Sequence, residues 1–244
     1  MRHYYLPRPI SSFQGFWDFW GKDIDRGLNM MRIMILAFAL FGFLIQPFAM
    51  CAEGVALFKN LHYGMTADEV KEITKSTESG QEGVLTEEGV SFAGHKWTGA
   101  YSFAEGKLIK VALLSSDNII DRYVALDQLL NNNGMQMALM IYNSKTIDIF
   151  HLLKTEKVEV ITERINEAML EALTASSSFE FDYIPWDPEN KAIDIFDFFA
   201  KAPNDIRCAA INYLQESGED IFAVSFQLPL ILRDEKKNIP NEKF

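Results

Sequence analysis

The stretch from Tyr63 to Val111 constrains the fold more than any other part of the chain, because a helical pattern is followed within it by a strand pattern. It opens Tyr63-Gly64-Met65-Thr66-Ala67-Asp68-Glu69-Val70, where Thr66 has an acid three residues on and apolar Val70 after that, the pattern of a capped helix start. After a polar loop it resumes as Trp97-Thr98-Gly99-Ala100-Tyr101-Ser102-Phe103, turns at Ala104-Glu105-Gly106-Lys107 and leaves through Leu108-Ile109-Lys110-Val111. Apolar and polar residues alternating around a Gly-bearing turn predict a hairpin. A helix laid beside a hairpin makes an α+β fold, with helices packed on one side of a mostly antiparallel sheet.

The first 52 residues read as a leader rather than as part of that fold. Ile33 to Ile45 is an uninterrupted apolar run, preceded by Arg26 and Arg32 and followed by Gln46-Pro47 and then by small residues around Ala49 and Ala52. A helix of that run reaches about 20 Å, short of the ~30 Å hydrocarbon core of a bilayer. Cleavage as a signal peptide is the expectation, and an uncleaved anchor made of residues 33–50 is the alternative. Either way the basic side stays cytoplasmic and the rest of the chain is exported. Met30 and Met31 offer a second start that gives a leader of ordinary size, so residues 1–29 are a candidate mis-assigned start. Cys51 stands where a lipid-attachment cysteine would, but Met50 directly before it is a poor fit to a lipid box and disfavours lipidation.

Beyond the leader only Cys208 remains, so no intramolecular disulfide is expected and the exported part relies on its core. The formal net charge is −11, and the leader is itself basic, so the exported part is more acidic still. That balance argues against nucleic acid and against an anionic membrane surface as partners, leaving membrane contact to the leader alone.

The expected units are 53–115, 116–232 and a charged, disordered tail at 233–244. In the first, a lead-in with Val55, Leu57 and Phe58 precedes a helix over 66–74, a loop from 75 that extends to about Glu88, and strands at 89–92, 96–103 and 108–115. In the second, Val124, Leu126, Leu129 and Leu130 predict a helix over 121–131 ended by Asn133-Gly134. A buried strand follows at 135–142, and residues 146–155 fit helix and strand equally. Val158, Ile161, Ile165, Met169 and Leu173 form the stripe of a helix over 156–175. A strand at 177–184, a short helix within 191–201 and a hairpin of 206–214 with 221–228 complete the chain. Helix followed by hairpin thus occurs in both halves.

Chemical motifs are sparse. His62, His95 and His151 lie on separate elements without metal-ligand spacing, and there is no phosphate loop, dinucleotide fingerprint or nucleophile elbow. No catalytic residue, metal or cofactor is expected. A Cys inside an apolar strand, as Cys208 is, reads as an inert core residue. Two places remain where a partner or ligand could bind. One is the aromatic row Trp97, Tyr101 and Phe103, which lies either in the core or on an open sheet face. The other surrounds Trp186, where Asp182, Asp187, Glu189, Asp194 and Asp197 gather in sequence without the spacing of a Ca²⁺ loop.

Tyr63-Gly64-Met65-Thr66-x-x-Glu69-Val70, Trp97-x-x-x-Tyr101-x-Phe103 and Gly106-Lys107-Leu108 together resemble the SmpA/OmlA-type small envelope domain over residues 63–113. The resemblance implies helices on a three-stranded antiparallel sheet, in a protein of the cell envelope. Some 130 residues follow that the family lacks. The expected function is a non-enzymatic envelope or periplasmic module that binds another envelope protein through a sheet face or a loop. The alternative is an exported small-ligand binder or hydrolase that uses the acidic and aromatic residues around Trp186.

Overall fold

A computed structural model describes residues 54–236 apart from 118, 144, 175–177, 188 and 217–218. The leader, Cys51 and the tail beyond Lys236 lie outside the described residues. The chain opens with a small hairpin, β1 (Ala56–Phe58) and β2 (Leu61–His62), and enters α1 (Ala67–Ile73). The helix start is the one expected: the Glu69 N–H donates to the Thr66 hydroxyl, and the Thr66 N–H donates to the Glu69 carboxylate at 2.7 Å, closing a capping box.

Four strands follow, β3 (Thr77–Glu78), β4 (Val84–Phe92), β5 (His95–Ala104) and β6 (Lys107–Ser115). The β5–β6 turn holds Glu105 at φ 50° and Gly106 at φ 74°, the two left-handed positions that a tight hairpin turn matched to strand twist requires. Then come α2 (Ile119–Asn132), β7 (Met135–Tyr142), β8 (Lys145–Asp148), α3 (Ile149–Thr155), α4 (Val158–Thr174) and β9 (Phe179–Pro185). The chain closes with α5 (Ile195–Lys201), β10 (Cys208–Glu216), β11 (Glu219–Gln227) and α6 (Pro229–Lys236).

Nine of these strands form one sheet in the order β3-β4-β5-β6-β11-β10-β9-β7-β8, and every neighbouring pair is antiparallel. The sheet runs unbroken through residue 115, where two units were expected to meet, because β6 pairs with β11: Leu113 lies opposite Val224 and Val111 opposite Phe226. Helices on an antiparallel sheet make the fold α+β, as the sequence pattern predicts.

The period of two along each strand sorts the side chains onto two faces. Trp97, Tyr101, Val111, Leu113, Val224, Phe226, Ile211, Phe181 and Tyr183 share one face, and Leu126 and Leu130 of α2, Val70 of α1 and Ile161 of α4 close over it. Leu139, Ile184, Cys208 and Ala210 occupy the other face, under Phe150 of α3, Ile195, Phe198 and Phe199 of α5 and Leu232 of α6. The expectation of helices on one side is therefore corrected. Strands β7, β9 and β10 carry apolar residues at both parities, and such strands need cover on both faces.

Three boundaries are corrected for local reasons. Strand β4 starts at Val84 rather than 89, because buried Val84 and Leu85 pair with Ser102 and Tyr101 on β5. A bulge between Glu87 and Val90, at Gly89, hides that continuity in the sequence by breaking the alternation. Residues 146–155 are both things at once: β8 ends at Asp148 and α3 begins at Ile149, with Asp148 as its N-cap. Residues Arg233–Lys236, expected in a disordered tail, complete α6, whose first residue is Pro229, a favoured residue at a helix start. In α4 the buried stripe is Ile161 and Ala168 flanked by half-buried Ile165 and Met169, while Val158 at the helix's first position stands exposed.

Candidate functional site

The four aromatic candidates end in two different places. Trp97 is 2% exposed, its indole N–H donates to the Phe92 carbonyl at 2.9 Å, and the Arg122 guanidinium lies 4.5 Å over its ring. Tyr101 is 1% exposed and donates its hydroxyl to Glu87 Oε2 at 2.6 Å, and burial together with that carboxylate pushes the hydroxyl far above its ordinary range. Phe103 is buried beside them. None of these three turns a ring to solvent. Trp186 is half-buried just after β9, with its ring edge-on to Phe150 at 5.7 Å.

The groups with reactive potential are sealed or engaged. Cys208 is fully buried, and burial, with the Asp182 charge beside it, pushes its thiol up, so it stays protonated. Asp182 is itself fully buried in the sheet, opposite Ala210. Three of the acids that follow it in the sequence accept backbone donors. Asp187 accepts the Glu189 N–H, Asp194 caps α5 by accepting the Asp197 N–H at 2.7 Å, and Asp197 accepts the Ile193 N–H at 3.0 Å while pairing with Lys201. Among the described residues no group of three or more His, Cys, Asp or Glu could hold a metal ion. Arg207 donates to the Leu57 carbonyl and lies over Phe226, which ties the β1 hairpin to the sheet.

What the structure does assemble ahead of α5 is a loop over residues 189–194 held by α3 and its N-cap. Asp148, His151 and Lys154 recur every three residues along one face of that helix and its cap. Asp148 Oδ2 accepts the Ile195 N–H at 3.0 Å while its Oδ1 caps α3 through the His151 N–H at 2.8 Å. His151 Nδ1 lies 3.2 Å from the Ile193 carbonyl oxygen. The Lys154 ammonium donates to the carbonyls of Asn190 at 2.6 Å and Ala192 at 2.7 Å and sits 4.2 Å over the Phe150 ring. Asn190 Oδ1 accepts the Ala192 N–H, so donors and acceptors along the loop are matched one to one at 192, 193 and 195. Burial, with the nearby Asp194 charge, raises the Asp148 carboxyl above its usual range against the lowering effect of its two backbone donors.

On this clamped base one large apolar side chain faces out. Ile193 is 69% exposed and follows Ala192, which is buried. Isolated exposed apolar residues are ordinary on protein surfaces. The distinguishing feature here is a rigid backbone beneath one, because a side chain already held in place loses little entropy when a partner covers it. Sequence reading finds Trp186 but misses Ile193 and the α3 face. The available signal is Asp148-x-x-His151-x-x-Lys154 interleaved with Ile147, Phe150 and Leu153, a polar stripe beside an apolar one. No protein-family model matches the chain, and neither a curated protein nor a solved structure shows significant similarity to it.

Proposed function

We propose that the protein is an exported, non-catalytic module of the cell envelope that binds another protein through the loop over 189–194. The observation that carries this reading is Ile193, held out to solvent on a loop whose backbone groups are bonded to α3 and α5. Binding residues are disproportionately carried on loops positioned by a rigid scaffold, and an apolar side chain on a preorganised backbone loses little freedom when a partner covers it. The export half of the proposal is supported by the apolar run at Ile33–Ile45 and by the resemblance of residues 63–113 to an envelope domain.

Chemical crosslinking in envelope extracts tests the proposal. Wild-type protein is expected to yield one defined partner, and Ile193→Asp, which places a charge at the centre of the contact, is expected to lose it while keeping the wild-type melting temperature. Equal capture by both proteins, or no defined adduct from either, counts against the reading. Stabilisation of the wild type by a single metal or metabolite would instead favour a ligand site near Trp186.

A further inference from the structure

The carbonyl groups of Asn190, Ala192 and Ile193 all face α3, which makes the inner side of the loop an array of acceptors. Such an array needs positive donors on the other side, since converging carbonyl dipoles repel one another. Lys154 supplies two of the three bonds from one ammonium, with the face of Phe150 behind it, so the cation sits between two carbonyl oxygens and a ring. The third carbonyl, that of Ile193, lies 3.2 Å from His151 Nδ1. We propose that Lys154 is the positioning residue of the loop: its ammonium, without touching a partner, keeps the 190–193 carbonyls turned inward and thereby keeps Ile193 turned outward. The purpose assigned to this geometry rests on the binding proposal, but the geometry itself is tested without a partner.

Amide hydrogen exchange on the full chain reads the effect at residues 192–195. Lys154→Met keeps the arm over Phe150 and removes the charge. It is expected to speed exchange there by about tenfold or more, since two charge-assisted hydrogen bonds are lost and each is worth at least about 1.5 kcal/mol. Lys154→Arg keeps a cation and is expected to stay within about threefold of wild type. In Lys154→Ala, propylammonium added at constant ionic strength is expected to restore protection where sodium does not, because it returns an ammonium on an apolar stem. Unchanged exchange in Lys154→Met overturns the proposal, as does propylammonium rescue no better than that by sodium. Failure of the crosslinking experiment alone would instead remove the partner and leave the clamp standing.

Discussion

At the scale of single residues, Asp148 shows how a carboxylate can be structurally useful and electrostatically costly together. It caps α3 and bonds the first residue of α5, yet its carboxyl is raised because burial outweighs those two donors. A carboxyl that binds its proton more readily in the folded state than in the unfolded chain makes stability fall as pH rises through the folded value. Acidification from neutrality toward the unfolded pKa of about 3.9 is therefore expected to recover stability at this position. Denaturant titrations of wild type and Asp148→Asn across that range check the sign. The wild type should gain on the variant as pH falls, whereas a difference that stays flat or moves the other way contradicts the assignment. The sequence announces this residue only as a polar position ahead of an apolar run, an ordinary helix cap, and not its second bond, which spans 47 positions.

Elements were legible where their pattern is local. The capping box at Thr66, the Glu105-Gly106 turn and strand β7 stand where periodicity and turn chemistry place them. Those that were missed depend on distant partners: the first half of β4 is a strand because β5 pairs with it across a bulge. Helix α6 is helical where charge and a nearby proline suggested a tail, and it sets Leu232 into the core under the sheet. Arg122 is a further case, a cation 3% exposed on the core side of α2. It donates to the Asp117 carbonyl at 2.8 Å, to the Asp117 carboxylate at 2.6 Å and to the Lys96 carbonyl at 2.8 Å, while stacking on Trp97. One planar fork thus pins the start of α2 to the ends of β5 and β6. Arg122→Ala is expected to cost about 1–3 kcal/mol in equilibrium unfolding, because it removes three hydrogen bonds made by a buried guanidinium and opens space above Trp97. Arg122→Lys should recover less than half of that loss, since an ammonium cannot serve three acceptors from a stacked plane. A change below about 0.5 kcal/mol for Arg122→Ala would assign the residue to the surface class.

At the scale of the whole molecule, the α+β class could be read from the alternation of helical and strand periods, but the joining of the sheet could not. The pairing of β6 with β11 links residues more than 100 positions apart in the chain, and their side chains, mostly apolar with Lys110, Ser115, Ser225 and Gln227 among them, carry no signal of it. The candidate site divides in the same way. Trp186 stood out as an aromatic in a turn, while Ile193 matters because β8, α3 and α5 converge beneath its backbone. The most direct test is a photo-crosslinking amino acid placed at position 193 in the full chain, with a matched control at 120, where Ile120 is 72% exposed on α2. Irradiation in envelope preparations should give one discrete adduct from 193 and none from 120. No adduct from 193, or the same adduct from both positions, would contradict the account.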